Sequence, residues 1–179
     1  MLNEKRVKEA ESNVRQYLTE GLLKKQKNET AKEMYIENSD LSLNTAQKLL
    51  SLESADYKPY LWVIVTSYYS MYYIANAVLL NIGYKVGDKI SHKITSDALI
   101  VFARDKLKKG LIEEYEDIKE DALELISFKA DSLLESLDFE REKRSKFQYQ
   151  MDEVAKKSKA LTSLDRAKEF VFELKKLLN

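Results

Sequence analysis

The chain has 179 residues, 30 Lys or Arg against 30 Asp or Glu, four glycines, one proline and no cysteine. Zero net charge gives no global pull toward nucleic acid or anionic lipid, and the missing cysteines exclude disulfides, thiolate nucleophiles and zinc–cysteine sites. One domain fits this length. The scarcity of helix breakers predicts an all-α fold, an antiparallel bundle of four to five helices (residues 28–179) with an extra N-terminal helix (residues 1–27).

The opening stretch, MLNEKRVKEAES, is charged from its fourth residue and has no apolar segment. It does not read as a secretory signal, and a cytoplasmic protein is the simplest expectation. From Leu2 to about Lys25, Val7, Ala10, Val14, Tyr17, Leu18 and Leu22 form a narrow apolar stripe on a charged helix. Such a stripe lies over a bundle or meets a partner. Asn28 and Thr30 are candidate caps for the next helix, whose apolar or small positions are Ala31, Tyr35, Ser39, Leu43, Ala46 and Leu50. Ser54 to Pro59 reads as a break, with the proline suited to the first turn of the helix that follows.

That helix, expected from Tyr60 to Ile82, is the most informative part of the chain. No Asp, Glu, Lys or Arg occurs from Pro59 to Tyr84, and the stretch contains TSYYSMYYIANAVLLNIG. A helix apolar on every side is either the centre of a bundle or a membrane span, which needs about 20 residues. The tyrosines are spread along it rather than belted at its ends, so the buried reading is preferred and no membrane is expected.

Gly83 to Asp88 reads as a loop leading to Ser91-His92-Lys93. A shorter helix follows, with Ile94, Ala98, Phe102 and Leu107 inward, ending at Lys108-Lys109-Gly110. From Leu111 a helical period runs through Tyr115, Ile118, Ala122, Leu125, Lys129, Leu133 and Leu137, with Phe128 as a possible bend. The final helix is expected from Thr162, with Asp165 completing a capping box and Leu164, Ala167, Val171, Leu174 and Leu178 buried. No strand-like alternation extends beyond a few residues.

Little of the usual site chemistry is present. A single histidine, His92, makes no ordinary zinc site, and the paired Glu-x-x-His of di-iron bundles is missing. Neither a metal nor a cofactor is expected. The acidic run Glu113, Glu114, Glu116, Asp117, Glu120, Asp121 and Glu124 reads as a solvated helix face, with magnesium binding as the alternative. Phosphate-binding glycine loops and the Gly-x-Ser-x-Gly elbow are absent. The strongest polar cluster surrounds Arg141, Arg144, Ser145 and Tyr149. From Glu140 to Lys159 seven Lys or Arg face four Asp or Glu, with Phe147 and Tyr149 interleaved. Such a segment holds phosphates and stacks bases, or simply complements a helix end.

Three segments together resemble the HEPN family. Thr66-Ser67-Tyr68-Tyr69-Ser70-Met71-Tyr72-Tyr73-Ile74-Ala75-Asn76-Ala77 is similar to its second bundle helix, Ser91-His92-Lys93 to its loop histidine, and Ala167-Lys168-Glu169-Phe170 to its closing helix. Arg144-Ser145-Lys146-Phe147-Gln148-Tyr149 lies where that family carries its arginine motif. The resemblance spans about Ala31 to Leu178. It implies a helical bundle that forms a homodimer, acts as a metal-independent ribonuclease in active members, and often stands beside a minimal nucleotidyltransferase as toxin and antitoxin.

The motif histidine does not follow Arg144; Tyr149 stands five positions on, with Gln148 before it. Tyrosine titrates near about 10, so it supplies no acid or base near neutrality. The expected function is therefore binding of a nucleotide or RNA phosphate in a basic, tyrosine-lined groove. Arg144 and Arg141 would hold phosphate, Ser145 would bond an oxygen, Tyr149 and Tyr69 would stack or donate, and His92 would join the ligand site. A degenerate endoribonuclease with Arg144 as its candidate catalytic residue is the alternative. Another is a non-catalytic dimer that docks a nucleotidyltransferase, favoured slightly by the N-terminal stripe.

Overall fold

The structure is a computed structural model that describes residues 3–137 and 153–178, with side chains described except at 128–137, 153 and 155. Its helices are α1 (Glu4–Thr19), α2 (Glu29–Ser51), α3 (Tyr60–Asn81), α4 (Ser91–Phe102), α5 (Leu111–Leu137) and α6 (Glu153–Lys175). Two short strands, β1 (Leu23–Lys25) and β2 (Tyr84–Val86), pair antiparallel with Leu23 opposite Val86 and Lys25 opposite Tyr84. The expected helical bundle is thus present, with a two-stranded ribbon that the sequence reading took for helix end and loop. Three residues per strand are too few for an alternation to register.

Helix α3 is the hub. It is long and apolar enough to cross a membrane, but 78% of its most apolar window is buried inside the bundle. Ile64, Met71 and Ile74 are fully enclosed, and each such side chain contributes about 1.5–3 kcal/mol. Helices α2, α4, α5 and α6 all pack against it. Small residues let the backbones approach: buried Ser39 of α2 donates to the Ser70 carbonyl of α3 at 2.8 Å. Asn81, at the far end of α3, donates to the Leu177 carbonyl at 3.1 Å and ties down the C-terminal turn.

Local chemistry sets the element ends. Asn3 caps α1 by accepting from the Arg6 N–H, and Asn28 caps α2 by accepting from the Ala31 N–H. Gly21, at φ 71°, turns the chain out of α1 into β1. Gly87 passes so close to β1 that a Cβ there would lie 2.9 Å from the Leu22 carbonyl oxygen, while its own N–H donates to that oxygen at 2.8 Å. Only glycine fits.

Several boundaries differ from the sequence expectations. Helix α4 ends at Phe102, and Leu107 lies beyond a 3-10 turn over Arg104–Lys106. Phe102 is half-buried and stacks on Tyr84 at 4.1 Å. Helix α6 begins at Glu153, so Thr162 and Asp165 lie inside it and form no cap. A charged, weakly periodic first half hid the true start. The side chains of Phe128, Lys129, Leu133 and Leu137 lie outside the described residues.

The acidic run of α5 is not simply a solvated face. Asp121 pairs with Lys159 of α6 at 2.6 Å, and Asp117 approaches Arg166 at 3.5 Å. Glu116 turns inward, with 19% of its side chain exposed, toward a cluster that fastens α1. The Arg6 guanidinium forks between two carboxylates, 2.7 Å from Asp97 of α4 and 2.7 Å from Glu116. Asp97 is fully buried and also accepts from Asn13 and Tyr17, each at 3.0 Å. The apolar stripe of α1 is consumed at the same contact: Ala10, Val14 and Tyr17 are buried, and Val7 and Leu18 pack against the core. It is therefore a packing face against the chain's own bundle rather than a spare docking face.

Removing one member of a buried ionic cluster leaves the others uncompensated. Asp97→Ala should lower the unfolding free energy by about 3–5 kcal/mol in urea titration. A loss under about 1 kcal/mol, the range of an exposed pair, would mean that α1 is held by its apolar stripe alone.

Candidate aromatic and histidine site

The described site begins with the spacing of α3. Tyr68 and Tyr72 are four residues apart, as are Tyr69 and Tyr73, so the four rings form two adjacent columns on one side of the helix. Tyr68 points inward and is fully buried, while Tyr69, Tyr72 and Tyr73 are half-buried. Tyr35 of α2 stacks on Tyr73 with 6.1 Å between centroids. His92, in the first turn of α4, closes the group: its ring lies 4.6 Å from Tyr72, 5.5 Å from Tyr68 and 6.1 Å from Tyr69. Helix α4 is entered from Ile90 in the left-handed region (φ 45°), and no side chain caps it.

One short hydrogen bond fixes the imidazole. Tyr68 Oη lies 2.6 Å from His92 Nδ1. Burial, reinforced by neighbouring Tyr115, pushes the Tyr68 hydroxyl far above its ordinary range, so it stays protonated. Burial likewise pushes His92 down, and the charge of Lys119 adds to this. The imidazole is therefore neutral near pH 7. A proton on Nδ1 leaves Nε2 as a base; a proton donated by Tyr68 leaves Nε2–H as a donor. Tyr115, stacked on Phe170 at 5.2 Å, is fully buried next to Tyr68.

The structure brings together two of the residues singled out from sequence, Tyr69 and His92. Arg141, Arg144, Ser145 and Tyr149 lie outside the described residues. Sequence reasoning passed over Tyr68, Tyr72 and Lys119. The i, i+4 tyrosine pairs signalled the first two; Lys119 was lost inside the acidic run. Among the described residues, no group of His, Asp and Glu is arranged to hold a metal ion. A separate pocket of about 600 Å³ opens at the segment linking α4 to α5 and the first turn of α5, lined by Arg104, Leu107, Lys108 and Ile112 among others, and shares no residue with the aromatic site. Its Lys108 is already paired with Glu169 and Glu173. Comparison of the chain with protein-family models, with curated proteins and with solved structures gives no match.

Because His92 is the single histidine, proton NMR reads it without assignment. Its midpoint should fall below the ordinary value of about 6.5. A folded midpoint below the unfolded one means that the unfolded chain binds the extra proton first. Stability should hold above about pH 6.5, decline as the pH falls toward the folded midpoint, and level off beneath it. A midpoint at or above the ordinary value would refute the buried, neutral assignment.

Proposed function

We propose that the chain is a HEPN-like helical module of the cytoplasm that binds a nucleotide or an RNA phosphate on this tyrosine–histidine surface. The observation that carries the reading is the cluster of half-buried Tyr69, Tyr72 and Tyr73 against neutral His92. Tyrosine faces stack on unpaired bases whatever their identity. The imidazole adds one polar contact to a phosphate or base edge. The basic segment with Arg141, Arg144, Ser145 and Tyr149 connects α5 to α6 in sequence, and its side chains are of the type that holds phosphate. A nucleotidyltransferase-associated or toxin–antitoxin role follows from the same resemblance.

The chain forms a homodimer in this reading. Exposed apolar side chains sit on α2 (Met34, Leu41) and on α6 (Leu161, Phe172), and these faces suit a second copy better than the tyrosine columns do. A second functional reading, metal-independent ribonuclease, is favoured by one observation. An imidazole held at Nδ1 and neutral near pH 7 is a ready general base.

Binding of a short single-stranded RNA, followed by fluorescence anisotropy, tests the proposal. Tyr72→Ala should weaken it by about 1–3 kcal/mol, the value of one stacked base. Arg144→Ala should weaken it by about 1.5–3 kcal/mol with little change in melting temperature. Undiminished binding in both variants would end the reading. RNA cleavage that survives a chelator and is lost in His92→Ala would promote the ribonuclease instead. Light scattering should give twice the mass of one chain, and a clean monomer would remove the dimer.

A further inference from the structure

Lys119 stands apart from the other cations of the bundle. Only 15% of its side chain is exposed, yet among the described residues its ammonium makes a single long hydrogen bond, to Ser96 Oγ at 3.4 Å. The nearest carboxylate oxygen, Glu116 Oε1, is 3.9 Å away, outside hydrogen-bond range. Lys32, equally buried, is paired with Glu29, and the more exposed Lys159 and Lys175 hold Asp121 and Asp40 at 2.6 and 2.5 Å. A lysine has three donors, and a buried charge is costly unless it is paired.

Arg6 holds the Glu116 oxygen nearest to Lys119. Glu116 Oε1 already accepts from Arg6 Nε at 3.3 Å, Arg6 Nη2 at 2.7 Å and Ser96 Oγ at 2.9 Å. Three donors leave that oxygen little room for a fourth. Asp97, a second acid nearby, is filled by Arg6, Asn13 and Tyr17. Burial accordingly lowers the Lys119 pKa, with Arg6 adding to the effect against the pull of Glu116, Glu120 and Asp97. His92 lies one turn before Ser96 on the same face of α4, and the Lys119 charge helps to push the imidazole pKa down.

We propose that Lys119 and His92 together form the phosphate anchor of the aromatic site, with α1 keeping the lysine available by occupying Glu116 through Arg6. This deepens the nucleotide-binding reading and rests on it for the choice of ligand. A phosphate oxygen satisfies the idle ammonium donors and accepts from the imidazole Nε2–H, which Tyr68 favours when it donates to Nδ1. Tyr69 and Tyr72 then lie beside the anchor, where a nucleoside attached to that phosphate can stack.

Inorganic phosphate and adenosine 5′-monophosphate are the probes, titrated separately into the full chain at constant pH while the His92 imidazole resonance is followed. Each should move that resonance saturably. Lys119→Met should weaken both by about tenfold or more, the loss of a hydrogen bond to a charged group. Lys119→Arg should keep most of the binding. The melting temperature of Lys119→Met should hold or rise, since the substitution removes a buried charge whose ion pair with Glu116 is long, at 3.9 Å. Two results overturn the anchor: no saturable shift with either probe, or a shift unaltered in Lys119→Met. A large fall in melting temperature with binding retained would do the same, by making Lys119 a structural ion-pair member. The stacking reading is judged separately. If adenosine monophosphate binds no tighter than phosphate while Lys119→Met abolishes both, the anchor stands and the nucleoside-binding function fails.

Discussion

An uncharged helix of 22 residues can give little of its surface to water. Everything else in this chain is arranged around that constraint. Helices α2 and α6 cover most of α3, and α4 and α5 close the rest. The covering helices are charged outside and apolar or small inside, so a chain with 34% charged residues still builds a continuous core. The tyrosines of α3 belong to the same constraint. Their rings fill the volume between helices while their hydroxyls reach toward the polar boundary, where α4 brings His92.

A second requirement arises because α4 and α5 carry acids on their inner faces. Asp97 has no exposed surface, and Glu116 has little. Neither is tolerable there without cations and donors. Helix α1 supplies Arg6, Asn13 and Tyr17 to this place, along with an apolar stripe that covers the second core cluster around Leu79, Ile94 and Ala98. It therefore completes the bundle both electrically and sterically. One consequence reaches Lys119: the Glu116 oxygen nearest its ammonium, 3.9 Å away, already accepts from Arg6. The same side chains that stabilise the fold thus set the charge next to His92.

The separation of roles along α5 follows from helix geometry. Asp117 and Asp121 lie on the flank that meets α6 and pair with its cations. Tyr115 and Ile118 face the core. Glu116 and Lys119, three residues apart, share the flank toward α4 and α1. One acidic-looking stretch accordingly performs three tasks.

The sequence by itself determined the helical class, the central place of α3, the break at Ser54–Pro59 and the start of α5, because these depend on local patterns: charge exclusion, periodicity, proline and glycine. It named Tyr69 and His92 as separate candidates for a ligand site centred on Arg144, without showing that their rings lie together. It misread the start of α6, whose first turns are too charged to show a period, and it missed the β1–β2 ribbon, which exists only because two distant three-residue segments meet across Gly87. Only the tertiary structure decided that Tyr68 holds the imidazole, that Arg6 reaches Glu116 across 110 positions of chain, and that Lys119 is left without a close carboxylate. Those outcomes depend on which charges share a desolvated space. A linear pattern cannot specify that, because the energy of a charge is set by its neighbours in three dimensions and by its distance from water.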